Sequence, residues 1–539
     1  MSGVRLSEAL GVLAKSSPFS VATKSDRPKD EFDRLKDHLY IEQKIENEFR
    51  TLLEKSRSSQ ILFLCGSSGD GKSEILTRAY REFRDRVTFH LDATHGFEPR
   101  QTAVEALDEV FDRHLQSDLP LAVGINLGMM SNYAAGGAER HQSIKAAIKN
   151  FVTEGKRDRS GDYIFLDFES FPKFVFDEQE IWKATFSSAL MSRLTDPITE
   201  NPFWMLSQQN PSSEDEIRIA KNFALFSRPV VQHYINKLLF RARLEFDQFM
   251  TARALLDFIY HIVIGPGSLV DNLFSKADND LADKVAAFDP AECHSKKLDL
   301  FSVTSRLRPY GNELKNFIET ARDFGLYVRS GTEPSPTTLL RFFAICREVD
   351  LGNNFHQQFR VDFDRDHGAF DKYARIWLLH SSEDKFTANK SELIKFYMQD
   401  FIPAILTYAN RRSPWLSKSQ FYLQELNGIV VSANFRLKQP SRPMRFRLNK
   451  TTWFTATVSA EGQPVELQVS LPLFNLLSEI LRGYRPTRYD KNTTVMLDDF
   501  IARLSQLATA SSKLVFSGPD SRTIEIERLD EDIFQMETL

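Results

Sequence analysis

Cysteine is scarce in this sequence, which has only Cys65, Cys293 and Cys346 among its 539 residues. The three cysteines lie far apart, and no two of them form a C-x-x-C pair. A disulfide framework or a zinc knuckle needs more numerous and more closely spaced cysteines, so the sequence supports neither. We therefore expect the protein to work in a reduced, cytoplasmic setting.

Long apolar runs are missing as well. The most apolar segment, residues 255–265, contains Asp257 and His261 and is shorter than the roughly 20 residues that cross a bilayer. The N-terminal stretch has a short apolar run that Glu8 interrupts, which is not the pattern of a secretory signal. We expect a soluble protein without a membrane segment.

The whole chain has no large excess of positive or negative charge, since its formal net charge is -4. This total identifies no class of partner, so only local charge is informative. The composition, 42% hydrophobic and 26% charged, is that of an ordinary globular protein. At about 100–200 residues per domain, a chain of 539 residues is long enough for about three domains.

Apolar strands and amphipathic helices alternate in the first third of the chain. The apolar runs that predict strands are residues 61–65, 87–92, 120–126 and 162–169. The segments whose apolar spacing predicts helices are residues 73–84, 100–115 and 141–152. Strands separated by helices of this length indicate βαβ units, and therefore an α/β fold with a parallel sheet flanked by helices.

The loop between the first predicted strand and its helix matches the pattern G-x-x-x-x-G-K-[ST]. The matching residues are Gly66, Ser67, Ser68, Gly69, Asp70, Gly71, Lys72 and Ser73. Glycines let such a loop turn its backbone N–H groups inward, and the helix that follows adds its positive N-terminal end. We assign Lys72 to the β- and γ-phosphates of a nucleotide and the Ser73 hydroxyl to Mg²⁺. With a strand before it and a helix after it, the loop predicts a P-loop that binds ATP and Mg²⁺.

Hydrolysis of the nucleotide also needs an acid near the Mg²⁺ shell and a polar group that orients water. The ends of three predicted strands offer candidates for these roles. We assign Asp167 and Glu169 as the catalytic acids, with Asp167 also a metal ligand, and keep Asp92 as the alternative. Asn126 is assigned to position the attacking water, as polar residues at a neighbouring strand end do in AAA-type ATPases.

Two further groups of residues allow a second interpretation. His90, Asp92 and His95 could bind a metal ion, but no fourth ligand is near them in the sequence, so we favour a structural role. Arg253 begins a strongly apolar predicted helix and could reach the γ-phosphate from a lid. An ordinary surface arginine is the slightly favoured interpretation.

Positive charge is concentrated in residues 405–491, which contain thirteen lysines and arginines but only five acidic residues. Arg445 and Arg447 alternate with an aromatic residue on a predicted strand, and Arg485 and Arg488 lie among tyrosines. Guanidinium groups beside aromatic rings suit phosphates and unstacked bases, so we predict these four arginines as DNA-binding residues. A basic surface for another protein is the alternative.

The predicted organisation has four segments. An N-terminal helical segment (1–58) precedes an AAA-like P-loop NTPase core with a parallel sheet flanked by helices (59–180). A large helical region, which we interpret as a lid or helical domain, covers 181–410. A small, basic α+β module completes the chain (411–539).

The sequence resembles the DptF (DndF) family, the F components of DNA phosphorothioation-dependent restriction systems. The segments that carry the resemblance are "ALGVLAKSSPFSV" (9–21), "FLCGSSGDGKSEILTRAY" (63–80), "HLDATHGFEPRQTAVEALDEVF" (90–111) and "VGINLGMMSNYA" (123–134). The resemblance implies a cytoplasmic bacterial or archaeal protein that acts with G and H partner components on DNA lacking sulfur in its backbone. It carries over residues 66–73 as the nucleotide site and supplies no established catalytic acid.

Three functions remain open at this point. The first is a DNA-dependent ATPase in a restriction complex, with its oligomeric state left open between a single chain and an oligomer; the second is a nucleotide-regulated scaffold with little hydrolysis. A small-molecule kinase is less favoured, because the sequence shows no evident acceptor pocket. Nuclease activity is not expected in this chain, because the fragment Asn312–Lys315 ("NELK") lies on a predicted helix without an upstream acid.

Overall fold

The computed structural model describes residues 4–15, 30–93, 100–154, 161–417, 419–439, 452–511, 513–518, 523–530 and 533–538. The chain divides into two compact units. The first unit comprises Met1–Phe174, Ala184–Ala242 and Gln248–Phe363. The second comprises Val175–Lys183, Arg243–Asp247 and Asp364–Leu539. The four segments expected from the sequence stay a prediction.

A four-stranded parallel sheet forms the centre of the first unit, which confirms the predicted mixed α/β fold. Its strands are β1 (Ile61–Cys65), β2 (Thr88–His90), β3 (Leu121–Ile125) and β4 (Tyr163–Asp167). Their order across the sheet is β2-β3-β1-β4, and every neighbouring pair is parallel.

Helices make up most of the remainder of the first unit. They are α1 (Leu6–Leu10), α2 (Glu31–His38), α3 (Lys44–Glu54), α4 (Lys72–Phe83), α5 (Ala103–Leu115), α6 (Leu127–Gly136), α7 (Gln142–Glu154), α8 (Thr185–Thr195), α9 (Pro202–Ser207), α10 (Glu214–Phe226), α11 (Pro229–Phe246), α12 (Ala252–Ile264), α13 (Leu269–Asn272), α14 (Asp280–Ala286), α15 (Lys296–Leu307), α16 (Asn312–Phe324) and α17 (Pro336–Ile345). The last residues of α11 are grouped with the second unit.

Strand β1 is completely buried because helices cover both faces of the sheet. Ile61, Phe63 and Cys65 pack on one face with apolar residues of α5, α6 and α7. Leu62 and Leu64 pack on the other face with apolar residues of α3 and α4. The continuous apolar run of β1 is therefore explained by burial on both faces of a parallel sheet.

The register of the strands places a crevice at the carboxyl edge of the sheet. Cys65, the last residue of β1, pairs with Ile125 of β3 and with Asp167 of β4. From β1 the chain passes into α4 on one face, whereas from β3 it passes into α6 on the opposite face. Neighbouring strands whose connections lie on opposite faces create the crevice where ligands bind in open α/β sheets.

Within the first unit, helix α12 binds the N-terminal residues of the chain. The carboxylate of Asp257 in α12 accepts a hydrogen bond from the backbone N–H of Lys15 at 2.7 Å. Its second oxygen accepts one from Nδ2 of Asn279 at 2.7 Å. The short 3₁₀ helix Gly11–Leu13 is thus fixed near the N-terminal half of α12.

The second unit combines antiparallel strands with helices. Its strands are β5 (Phe174–Asp177) and β6 (Ile181–Ala184), which pair with each other, and β7 (Gln420–Leu426), β8 (Ile429–Asn434), β9 (Leu437–Lys438), β10 (Trp453–Ala460), β11 (Gln463–Ser470), β12 (Lys513–Ser517), β13 (Thr523–Asp530) and β14 (Ile533–Thr538). Its helices are α18 (Asp364–Leu379), α19 (Glu383–Ala388), α20 (Lys390–Lys395), α21 (Ile402–Ala409), α22 (Leu471–Leu481) and α23 (Lys491–Thr509). One antiparallel sheet has the order β11-β10-β9 and another the order β14-β13-β12-β8-β7.

None of the helices in the described ranges combines the length and apolar character that crossing a membrane requires.

A buried histidine gives the second unit a dependence on pH. The His380 side chain is bonded as a neutral ring: Nδ1 donates to the carbonyl oxygen of Ile376 at 2.7 Å, and Nε2 lies 3.0 Å from the hydroxyl of Tyr397. Because Nδ1 carries the proton of the neutral ring, Nε2 accepts the hydroxyl proton of Tyr397, and the same hydroxyl accepts the N–H of Thr457. Burial lowers the pKa of His380 to about 4.

We predict that His380 makes the second unit sensitive to acid. Because its pKa is lower in the folded chain than its unfolded value of about 6.5, the unfolded state binds more protons between these two values. Stability should therefore fall as the pH drops from about 6.5 to about 4, by roughly 3 kcal/mol in total. The measurement is urea unfolding of wild type and His380→Asn across this range.

His380→Asn should lose this part of the pH dependence, whereas His294→Asn should retain it, because the His294 side chain is 83% exposed. An acid destabilisation of the same size in wild type and His380→Asn would contradict the assignment.

Candidate functional site

The loop from Gly66 to Gly71 joins β1 to α4 at the crevice. Gly69 has φ +85° and Gly71 has φ +100°, both in the region that favours glycine. Gly71 is also the N-cap of α4, and no side chain caps this helix end. The first N–H groups of α4 have no partner within the helix, so they are available to an anion at the loop.

Lys72 folds back over this loop. Its Nζ donates hydrogen bonds to the carbonyl oxygens of Gly66 at 3.0 Å and Ser67 at 2.7 Å. Burial lowers the pKa of Lys72, while the nearby carboxylates of Asp70 and Asp92 oppose this change. The ammonium group is therefore a partly desolvated cation bound by carbonyl oxygens. An anionic ligand is a stronger partner for this cation and can replace the carbonyl oxygens.

Helix α12 begins directly beside the loop. The backbone N–H of Arg253 donates to the carbonyl oxygen of Gly69 at 3.1 Å. A Cβ atom at Gly69 would lie only 3.0 Å from Cβ of Arg253 and 3.3 Å from Oγ1 of Thr251. Glycine at this position thus allows both the positive φ angle and the close approach of α12.

A cavity of about 450 Å³ opens over the loop. Its polar lining includes Ser68, Lys72, Ser73, Asp92, Asn126 and Arg253. Its apolar lining includes Val12, Leu13, Leu39, Ile41, Phe186, Leu190 and Leu256. All of these residues belong to the first unit. The volume and the mixed lining are those of a small-molecule site.

The predicted catalytic side chains occupy different positions relative to this cavity. Asp92 is exposed and lines it. Asn126 also lines it, and its Oδ1 accepts the N–H of Met129 at 2.7 Å, which leaves Nδ2 as the donor group. Asp167 is buried at the end of β4, where it accepts the N–H of Glu169 at 3.0 Å, and neither acid is part of the cavity lining that the structure describes.

The loop residues also divide into two groups. Ser68, Gly69, Gly71, Lys72 and Ser73 line the cavity. Gly66, Ser67 and Asp70 form the back of the loop, where the carboxylate of Asp70 accepts the N–H of Ser67 at 2.8 Å. The motif therefore consists of a loop, residues 66–71, and the first two residues of α4, Lys72 and Ser73, which both line the cavity.

Several lining residues were not identified from the sequence. The 3₁₀ helix Gly11–Leu13, the connection between α2 and α3, and α8 all contribute apolar walls. The apolar spacing of residues 6–13 was the available signal for the first of these. Nothing local in the sequence indicates that α8 packs beside the loop, whereas for the start of α12 the sequence offers Arg253 as a lid arginine, an interpretation less favoured than a surface position.

The predicted DNA-binding arginines lie in the second unit. Arg485 and Arg488 are exposed, and the guanidinium carbon of Arg488 lies 5.0 Å from the ring centroid of Tyr489. Arg445 and Arg447 lie outside the described residues. His95 also lies outside them, and within the described ranges no three His, Cys, Asp or Glu side chains are grouped to hold a metal ion.

Comparison of the chain with protein-family models, with curated proteins and with solved structures gives no significant match.

Proposed function

We propose that the first unit binds ATP together with Mg²⁺, as a P-loop NTPase does. The observation that carries this proposal is the position of Lys72. Lys72, Ser73 and Gly71, the residue at the uncapped N-terminus of α4, all line one cavity. Backbone N–H groups, a lysine and a helix N-terminus together favour a chain of phosphates over other small ligands.

The apolar walls of the cavity support a nucleotide over inorganic phosphate or polyphosphate. Phosphate alone would need no such walls, whereas a purine base offers two apolar faces that must leave water. Leu39, Ile41, Leu190 and Leu256 are among the side chains that could cover them. The cavity thus combines groups for phosphate with groups for a base.

Ser73 and Asp92 fit the requirements of an Mg²⁺ site. Both residues line the cavity and carry side-chain oxygen atoms, and Mg²⁺ prefers oxygen ligands with few protein groups and several waters. When bound, Mg²⁺ would neutralise charge on the phosphates. In this proposal Asp92 takes the role that the sequence assigned to Asp167, because Asp92 lines the cavity.

We propose Asn126 as the residue that orients a water molecule, since it lines the cavity and its capping bond through Oδ1 leaves Nδ2 as the donor group. We propose slow ATP hydrolysis on this basis. A nucleotide-regulated scaffold with little turnover is the second candidate, and it is favoured by the absence of Asp167 and Glu169 from the described cavity lining.

A role in DNA restriction is the wider proposal, and it depends on the sequence resemblance. The exposed Arg485 and Arg488 beside Tyr489 are compatible with contact to DNA phosphates. Cleavage of DNA would belong to a partner component, and this chain would contribute nucleotide-driven switching.

Lys72→Ala should weaken ATP binding while the chain remains folded. Loss of a charge-assisted hydrogen bond to phosphate costs about 1.5–3 kcal/mol, which corresponds to roughly 10- to 150-fold in affinity. Calorimetric titration with MgATP measures this effect. Lys55→Ala, which removes an exposed lysine at the end of α3, is the control and should bind as wild type does. Wild-type affinity in folded Lys72→Ala would rule out the proposed site.

Substitution of the acids should identify the residue that supports hydrolysis. Asp92→Asn should retain ATP binding and lose turnover at least roughly tenfold, because Mg²⁺ and water positioning act mainly in the transition state. Asp167→Asn and Glu169→Gln should retain more turnover than Asp92→Asn, because neither side chain lines the cavity. Steady-state phosphate release measures all three variants. The reverse ranking would return the role to Asp167, and normal turnover in all three would place the acid elsewhere.

Arg485→Ala combined with Arg488→Ala should reduce the salt dependence of DNA binding. Each phosphate contact contributes about 0.9 to the slope of log affinity against log salt, so the double variant should lose about two units. The control is Arg503→Ala, which removes an arginine that is paired with Asp499 on α23. An unchanged slope in the double variant would assign these arginines to contacts other than DNA.

A further inference from the structure

A carboxylate lies within the loop that we propose to bind phosphate. Asp70 is only 6% exposed and stands two residues before Lys72. A buried carboxylate beside a phosphate site would repel the ligand unless a cation neutralised it. The G-x-x-x-x-G-K-[ST] pattern does not specify the residue at this position, so the motif alone gives no reason for an acid.

Both oxygens of Asp70 have partners. Oδ2 accepts the N–H of Ser67 at 2.8 Å, which closes the loop on itself. Oδ1 lies 2.9 Å from Nζ of Lys173, a residue from the segment that follows β4. The two side chains are 9% and 10% exposed, so this ion pair is almost completely removed from solvent.

Lys173 is held in a specific position behind the loop. Its Nζ lies 5.6 Å from the ring centroid of Phe168 and 5.9 Å from that of Phe186. Its carbonyl oxygen accepts the N–H of Thr185 at 3.0 Å. Phe168 also packs on the loop, since a Cβ atom at Gly66 would lie 2.8 Å from its ring. The lysine therefore reaches Asp70 from the segment that follows β4, and neither residue is part of the described cavity lining.

The alternative partner for Asp70 is Lys72. Burial lowers the pKa of Lys72, and the charge of Asp70 is the largest of the effects that oppose this change. If Lys173 were absent, the carboxylate would be an uncompensated buried charge beside the one ammonium group that must reach the phosphates. Such a charge is stabilised by the nearest available cation.

We propose that Lys173 is a positioning residue for the phosphate site and acts through Asp70. Its ammonium group neutralises the carboxylate and holds it away from Lys72, so that Lys72 remains available to the nucleotide. The Asp70–Lys173 pair thereby preserves a net positive charge at the loop. This inference rests on the proposed nucleotide function.

The test compares MgATP affinity in wild type, Lys173→Met, Lys173→Arg and the double variant Asp70→Asn with Lys173→Met. Lys173→Met should bind MgATP roughly tenfold more weakly, because it leaves Asp70 unneutralised. Lys173→Arg retains the charge and should bind nearly as wild type does. The double variant should recover most of the lost affinity, because asparagine can still accept the N–H of Ser67 and carries no charge.

Lys183→Met is the matched control, because it breaks an ion pair with Asp177 that is formed at 3.0 Å on the β5–β6 hairpin. It should leave MgATP affinity unchanged. Thermal unfolding of each variant identifies loss of folding. If Lys173→Met does not fold, the double variant decides, since it contains no unneutralised carboxylate at the loop.

The outcomes separate this inference from the proposed function. Weak binding in Lys173→Met with recovery in the double variant supports the inference. Wild-type affinity in folded Lys173→Met, or a folded double variant that binds no better than Lys173→Met, overturns it and leaves nucleotide binding intact. A wild-type chain that binds no MgATP overturns the proposed function and this inference together.

Discussion

The ammonium group of Lys72 is bound by carbonyl oxygens of the loop that it follows, at 3.0 Å from Gly66 and 2.7 Å from Ser67. A partly desolvated cation needs partners that compensate for its lost hydration, and the carbonyl groups of Gly66 and Ser67 supply them. The same cation is a strong partner for phosphate. Ligand binding would therefore replace carbonyl oxygens by phosphate oxygens around one side chain, without requiring a new charged group.

The fold of the first unit creates the conditions for this exchange. Helices on both faces bury β1 completely and direct the chain into α4 at the point where the connections of β1 and β3 diverge. The N-terminus of α12 then contacts the loop at Gly69, and Lys173 supports it from behind through Asp70. The β1–α4 connection, the N-terminus of α12 and Lys173 thus fix a loop that contributes few side chains of its own.

Local pattern was sufficient to predict the sheet. Strand β1 has the predicted bounds, and α4 and β3 differ from prediction by one residue at each end, because apolar runs and helical spacing report directly on burial. Helix α6 was missed, since its glycines and small polar residues give weak periodicity and its helical state depends on packing of Met129, Met130 and Tyr133. Only some of the residues at the cavity could be predicted from the sequence. The motif indicates Lys72 and Ser73, and the sequence offered Asp92 as an alternative acid and Arg253 as the less favoured lid arginine, whereas the approach of Lys173 arises from long-range packing that no local pattern encodes.

The central claim is that the backbone N–H groups of residues 66–73 bind the phosphates of a nucleotide. Hydrogen exchange of these amides, with and without MgATP, measures that interaction directly at the atoms concerned. The account predicts slower exchange in the loop and in the first turn of α4 when MgATP is present, with no change in β12 of the second unit. Unchanged exchange in the loop at saturating MgATP, or protection confined to another part of the chain, would contradict it.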